Sequence, residues 1–401
     1  MDSYRVWADI DLDAFASNMG QIRARVGPGV AVMLVVKADA YGHGAVAIGH
    51  CALRHGASAL GVGSSAEALE LRRSGIRAPI LVLGTIVDDE ATACIVHDVH
   101  VALHSADRCQ MLEDLAARLD LVAKVHLKID TGMGRLGVLP ERALPLLEQI
   151  RASRHMRLCG VMTHVSSPFG ADDDVTLEQM ARFRSVIDEA RARNLLSGWV
   201  HAANSACVFT GLEPMFDAVR PGISAYGVLP GEIPGARDLE PVMSLRSQIV
   251  FLKDLAEGSP VGYSGTWRAS RSTRIATLPI GYNDGVPWRL GNKGSVLVRG
   301  ERAPIVGRVS MDYTTIDVGH IPGVTVGDRV TLFGRDGAEQ ITLEEIAEHA
   351  GTIPYEIACS VGRRVERIFR GGFDVMTPQV RASTALPPLP ADHTQQNLAR
   401  A

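Results

Sequence analysis

Between about residue 30 and about residue 228, short apolar, β-branched runs alternate with stretches of helical periodicity. The runs are VMLVVK (32–37), SALGVG (58–63), PILVLG (79–84), VHVAL (99–103), AKVHLKID (123–130), LCGVMTH (158–164), WVHA (199–202) and DAVRPGIS (217–224). Helix-like segments lie between them: GAVAIGHCALRHG, SSAEALELRRSG, DDEATACIV, SADRCQMLEDLAARL, PERALPLLEQIRAS, DVTLEQMARFRSVIDEARARN and a short one after Ser205. Ser64 and Glu67 form a capping box that opens the second of these helices, and Gly75 follows its end. Eight short strands alternating with helices predict an α/β fold built on a parallel (β/α)8 barrel of the TIM type. A doubly wound open sheet is the alternative, which the strand count and the span of the pattern disfavour.

The texture changes after about residue 240. Short alternating runs with Gly and Pro turns take over: SLRSQIVFLKDL, RIATLPIGYNDG, GSVLVRGERAPIVGRVSMDYTTIDV and GDRVTLFG. They predict a smaller, mainly β domain interrupted by one amphipathic helix at 342–351. The division is therefore a barrel over 1–240, a β domain over 241–372 and a tail over 373–401 with the composition of a disordered segment. The strand-like residues at the start of the chain are candidates to join the β domain.

With 401 residues, two domains of unequal size are expected. The formal charge of −4 is spread along the chain, which points to neither a nucleic-acid nor a membrane partner. The locally basic stretch GRRVERIFRGG reads as a solvated helix face or a set of internal ion pairs. Six scattered cysteines have neither CxxC nor metal-ligand spacing, so no metal is expected and buried, reduced thiols are. With no apolar leader at the N-terminus, a cytoplasmic location is expected.

In such a barrel the reactive side chains stand where strands end. Lys37 closes the first predicted strand. It either caps the strand at a surface or turns its amine into the barrel mouth, where desolvation would lower its pKa and favour condensation with a carbonyl. His164 ends the sixth strand, Ser205 follows the seventh, and Arg220 with Gly222 ends the eighth. The loops after strands seven and eight are the usual phosphate site of the fold, which Asn204–Ser205 and Gly222–Ile223 fit. A carbonyl-seeking lysine and a phosphate cradle on one face suggest pyridoxal 5′-phosphate (PLP). A barrel aldolase would share the lysine but would leave the second domain and Arg220 unexplained.

The motifs KADAYGHG, HLKIDTGMGRLG, THVSS, HAANS, VRPGISAYG, VGYSGTW, GYNDG, GRVSMD and PYEI, in order from about residue 5 to about residue 370, resemble alanine racemase. That family consists of PLP-dependent isomerases of fold type III whose product, D-alanine, supplies bacterial peptidoglycan. The resemblance implies that Lys37 carries the cofactor and that Tyr41, Ser205, Gly222, Ile223 and Tyr355 hold its phosphate. It sets Arg220 against the pyridine nitrogen, where a guanidinium that keeps its proton leaves the ring a weaker electron sink. Lys37 and Tyr263 would be the two bases, with His164 supporting Tyr263. Arg135 and Met311 would receive the substrate carboxylate, Lys128 would be a carbamylated lysine orienting Arg135, and Asp312 would orient its neighbours. Tyr282 and Tyr355 would line the entrance. In the family Tyr263, Tyr282, Met311 and Asp312 come from the partner subunit, so a homodimer with shared sites is implied. Ser264, Asn283 and Tyr313 depart from the pattern, as does the loop VSSPFGADDD. Substrate breadth is thereby left open between alanine and other side chains such as serine. A PLP decarboxylase of the same fold is disfavoured by Arg220.

Overall fold

The protein is described by a computed structural model over residues 4–166, 174–211, 215–229, 233 and 238–371. The expected tail at 373–401, and most of the loop after His164, lie outside the described residues. Strand β1 (Val6–Asp11) leads into a helix, Leu12–Val26, that the strand-helix alternation beginning near residue 30 did not include. Its signals are nonetheless in the sequence. Leu12, Phe15, Met19, Ile22 and Val26 recur at helical spacing and are buried, and Asp11 caps the first turn by accepting from Asp13 N and Ala14 N.

The barrel follows, and all eight predicted strands are present: β2 (Ala31–Val35), β3 (Ala59–Val62), β4 (Ile80–Val82), β5 (His100–Leu103), β6 (Ala123–Lys128), β7 (Met156–Met162), β8 (Trp199–Asn204) and β9 (Ala218–Arg220). Each pairs in parallel with the next, and β9 pairs with β2 to close the ring, which excludes the open sheet. Part of the interior is an apolar cluster of Met33, Ala59, Leu81, Ala102 and Met162. Much of the rest is filled by histidines, where branched aliphatic side chains are the rule.

The second domain is mainly β, as expected. Its larger sheet runs Glu301–Pro304, Ser295–Val298, Arg329–Asp336, Met243–Gln248, β1, Glu366–Arg370, with Glu339–Ile341 added to Arg329–Asp336. Strand β1 therefore pairs with this sheet, antiparallel to Met243–Gln248 and parallel to Glu366–Arg370. Two helices occur here rather than one: Leu343–Ala350, capped by Thr342, and the short Pro354–Cys359.

The basic stretch near the end is a strand and not a helix face. Its charges are used internally: Arg364 pairs with Asp284 and Asp312, Arg370 with Asp9, and Arg367 donates to the carbonyls of Gly42, Val361, Gly362 and Val365. The six cysteines are unpaired, and Cys359 is exposed rather than buried. Among the described residues no helix is long and apolar enough to cross a membrane.

Candidate active site

The site begins with a strained turn. Strand β2 ends at Val35, and Lys37 opens a turn in which Ala38, Asp39, Ala40 and Tyr41 have φ of 54°, 52°, 53° and 53°. Left-handed backbone costs a residue with a Cβ roughly 1–2 kcal/mol, so four in a row must be held by their surroundings. Ala40 N donates to Val36 O and Gly42 N to Ala38 O, both at 2.9 Å, while Asp39 Oδ1 accepts from Ala45 N at 2.7 Å. Glu67 provides the outside clamp: its carboxylate accepts from Ala38 N and from Gly63 N, each at 2.7 Å. The predicted capping box is thus half formed. Ser64 Oγ accepts from Glu67 N, but the glutamate reaches across to the turn instead of back to its own helix.

Beneath the turn, fully buried His43 turns Nδ1 to the carbonyls of Ala40 and Tyr41, which fixes that nitrogen as the donor. Burial pushes its pKa down to about 4, so it stays neutral. The second domain closes the far side. Gly42, at φ 81°, lies so close to Ala358 O that a Cβ would collide with it, and Arg367 Nε donates to Gly42 O at 3.1 Å. Lys37 itself is exposed in this chain, so the desolvation expected from the sequence is not supplied by the chain's own atoms.

Lys37 stands at the edge of a cleft of about 750 Å³ in the C-terminal mouth of the barrel. Four cations line it, Lys37, Lys128, Arg135 and Arg220, and no carboxylate is found among its described lining residues. Arg220 is buried, yet its described partners are all neutral. It donates to the carbonyls of Thr163, His201 and Ala202 at 2.7–3.0 Å and to His201 Nδ1 at 2.8 Å. An arginine paired with an acid at the rim is therefore excluded within the described residues. Burial lowers its pKa to about 10, which leaves it charged near neutrality. His164 Nδ1 lies 3.4 Å from Arg220 Nη2, and burial together with the Arg220 charge pushes its pKa down to about 3. Burial, then Arg220 and Arg135, brings Lys128 down to about 8.

One end of the cleft is a cradle of polar donors. Ser205 Oγ accepts from Gly222 N at 2.9 Å and from Ser224 N at 3.3 Å, and Ser224 Oγ lies 3.0 Å away. Tyr41 Oη packs on Gly222 so closely that a Cβ there would be 2.5 Å from it. Tyr355, from the short helix of the second domain, packs against Tyr41 with ring centroids 6.1 Å apart and the rings tilted by 53°. Ile223 starts a single 3-10 turn beside them, whereas Asn204 also lines the cleft but spends its side-chain oxygen on Cys207 N. Arg135 lies in the loop after β6. Asp130 folds that loop by accepting from Gly132 N and Gly134 N, and Gly137 approaches Asp130 N within the reach of a Cβ, at φ 130°.

Tyr263, Tyr282, Met311 and Asp312 do not reach this cleft. They stand on the second domain, where Tyr263, Tyr282 and Met311 are 71%, 45% and 53% exposed and Asp312 is half-buried. Tyr282 and Met311 are neighbours there, since Tyr282 N donates to Ser310 O and Asn283 N to Met311 O. Ser264 has φ 63°, a left-handed position that a glycine would occupy without strain. Three contributors have no functional signal in the sequence: Glu67 at the turn, His201 against Arg220, and the exposed Ile353 at the cleft rim. The capping pattern marked Glu67 as a helix residue only, and the letters HAANS gave no sign that His201 faces the barrel axis.

Replacing Glu67 by Ala leaves two backbone donors of the turn without their acceptor. Hydrogen–deuterium exchange at Ala38 and Gly63 should accelerate by about tenfold, the effect of roughly 1–2 kcal/mol of local opening, with Glu67→Gln intermediate. Unchanged exchange in Glu67→Ala would show that Asp39 and the second domain hold the turn without it.

Comparison with known proteins finds matches over both domains. Residues 10–230 match the family model for the alanine racemase N-terminal domain, and residues 242–369 the one for its C-terminal domain. The chain is 42% identical over 367 residues to the alanine racemase of Syntrophobacter fumaroxidans, covering 91% of this chain and 98% of that one. Its fold is similar to the crystal structure of the Bacillus anthracis alanine racemase with bound L-Ala-P, at a TM-score of 0.86 and 35% identity over 92% of this chain and 96% of that one. It is also similar to the structure from Bartonella henselae with covalently bound pyridoxal phosphate, at 0.82 and 29% over 92% and 100%. With both domain models matched and such identity along most of its length, the chain belongs to the alanine racemase family.

Proposed function

We propose that the chain is a PLP-dependent racemase that interconverts L- and D-alanine, with each site completed by a second copy of the chain. The observation that carries this reading is the charge of the cleft. Four cations without a described carboxylate call for an anionic occupant. The donor cradle at one end fits a phosphate, and Arg135 is available to a substrate carboxylate.

The residues present fit PLP. Tyr41, Ser205, Gly222, Ile223 and Tyr355, with Asn204 alongside, would hold its phosphate, and Lys37 Nζ its aldehyde. When bound, the cofactor takes up the substrate amine and draws electrons out of the Cα–H bond. Lys37 Nζ then moves a proton at Cα on one face, and the partner subunit's Tyr263 Oη on the other. His164, neutral near pH 7, supports that phenol without adding a charge. Arg220, proposed as the neighbour of the pyridine nitrogen, keeps its own proton and gives none to the ring, which restrains decarboxylation and transamination. Arg135 and the backbone of the partner subunit's Met311 orient the carboxylate, and Tyr282 and Tyr355 narrow the entrance. Asp312, tied to Arg364 at 2.6 Å, keeps the Met311 loop in shape.

The homodimer rests on the second domain's surface. Tyr263, Tyr282, Trp288, Met311 and Tyr313 are each 45–71% exposed there, large side chains that a second copy would cover. The cytoplasm, where six unpaired thiols stay reduced, is the proposed location, and supply of D-alanine to the cell wall the proposed role. A broader substrate range is the second reading. Asn283 and Tyr313 depart from the family pattern and are exposed beside Tyr282 and Met311.

The purified protein should convert L-alanine to D-alanine and back, with serine and lysine turned over more slowly. Lys37→Ala should lower the rate by about a thousandfold or more, and borohydride reduction of the wild type should leave pyridoxyl on Lys37 alone. Racemisation retained in Lys37→Ala, or pyridoxyl on another lysine, would contradict the assignment. Serine turned over as fast as alanine would favour the second reading.

Lys128 should carry a carbamate. At a pKa of about 8 roughly one amine in ten is neutral at pH 7, enough to form an N–C bond with CO2 and release a proton. Carbon NMR in labelled bicarbonate should show one carbamate signal, lost in Lys128→Met and weakening as the pH falls below about 7. A signal that survives Lys128→Met, or none at all, would remove this role.

A further inference from the structure

Three histidines run in single file through the barrel to Arg220. His100 opens β5 at the N-terminal mouth, His126 lies within β6, His201 lies within β8, and Arg220 closes β9 at the opposite mouth. His100 Nδ1 is 3.1 Å from His126 Nε2, His126 Nδ1 is 2.9 Å from His201 Nε2, and His201 Nδ1 is 2.8 Å from Arg220 Nη1. His126 and His201 are 1% and 0% exposed. Imidazoles are costly in a layer that aliphatic side chains fill more cheaply. Gly160 leaves the space for one of them, since a Cβ there would sit 2.5 Å from His126 Nδ1.

The hydrogen positions along this file follow from Arg220. A guanidinium only donates, so His201 Nδ1 must accept and its proton must be on Nε2. That proton faces His126 Nδ1, which must therefore accept in turn, and the same step fixes His100. All three rings are neutral Nε2–H tautomers pointing away from Arg220. Adding a proton to any ring would set two N–H groups against each other at that link of the file, and reversing the file would bring an N–H of His201 against an N–H of Arg220.

We propose that His126 and His100 are positioning residues for Arg220, acting through His201 as a one-way file of neutral imidazoles that holds the guanidinium and passes no proton to the active site. The functional half of this inference rests on the proposed place of Arg220 beside the cofactor ring. A carboxylate in place of His201 would hold Arg220 equally well but would cancel its charge. A neutral ring holds it and leaves the charge in the cleft. The surroundings keep the file neutral. Burial, with Lys124 and Arg72 outweighing Asp98, brings His100 to about 4. His126, facing His100 and Arg220, and His201, facing Arg220 and His126, are pushed well below the ordinary imidazole value, chiefly by burial.

The test is nitrogen NMR of the holoenzyme labelled in histidine, together with product analysis of variants. Wild type should show three rings with Nε2–H and an accepting Nδ1, unchanged from about pH 5.5 to 9. His126→Leu should leave the His201 Nε2–H without its acceptor and shift that nitrogen's signal, lower kcat by about tenfold and raise the share of pyruvate formed by transamination, whereas His126→Gln, which can accept and donate in the same sense, should restore most of these. His100→Phe, at the open end of the file, provides the same product readout should His126→Leu not fold. An Nδ1–H tautomer or a titrating ring among the three in wild type would overturn the proposal. So would a folded His126→Leu with His201 and the product ratio unchanged. A wild type with the expected tautomers but no racemase activity would instead leave the file standing and remove the proposed function.

Discussion

Ala38 to Tyr41, four residues with no glycine among them, are held in the left-handed region, and the site is arranged around that strain. The turn sets Lys37 at the cleft edge and brings Tyr41 Oη onto Gly222, at the cradle that follows the neighbouring strand β9. It is held from three directions: Glu67 from the next strand–helix unit, His43 from beneath, and Ala358 and Arg367 from the second domain. A helical or extended continuation of β2 would aim Tyr41 elsewhere. The second domain is therefore part of how the cleft of a single chain is built.

The second constraint is charge. The cleft gathers four cations, and its most buried one, Arg220, has only neutral described partners. An unpaired buried charge is costly, and its retention makes sense where a bound anion is to feel it. The histidine file serves the same end by binding Arg220 without neutralising it. Electrostatics on both sides of the guanidinium thus favour anionic ligands and disfavour a proton on a group lying against it.

The architecture was legible because each barrel strand is a short apolar run with turn signals at its ends, as in VMLVVK and PILVLG. The gathering of Lys37, His164, Ser205 and Arg220 was legible because each stands at or just after a strand end, and the barrel brings those ends to one mouth. What stayed hidden depends on contacts distant in sequence. Glu67 fits a local capping pattern, yet its carboxylate is taken by a turn 29 positions away. His126 and His201 read as ordinary polar letters until closure of the barrel sets them against each other across 75 positions. The helix Leu12–Val26 precedes the alternation and packs between elements of the two domains, so the repeating pattern does not reach it. Exposure of Lys37 was not foreseen, because strand-end position says nothing of what covers a side chain.

The central claim is that one chain supplies Lys37 and another supplies Tyr263 to each site. Its most direct test mixes Lys37→Ala with Tyr263→Phe, each nearly inactive alone, and lets subunits exchange at equal amounts. Random pairing makes about half the dimers mixed, and each mixed dimer contains one site with both defects and one with neither. About a quarter of the wild-type alanine racemisation should return. Verified exchange with no recovered activity would mean that Lys37 and Tyr263 do not meet across subunits, and the account of the shared site would be wrong.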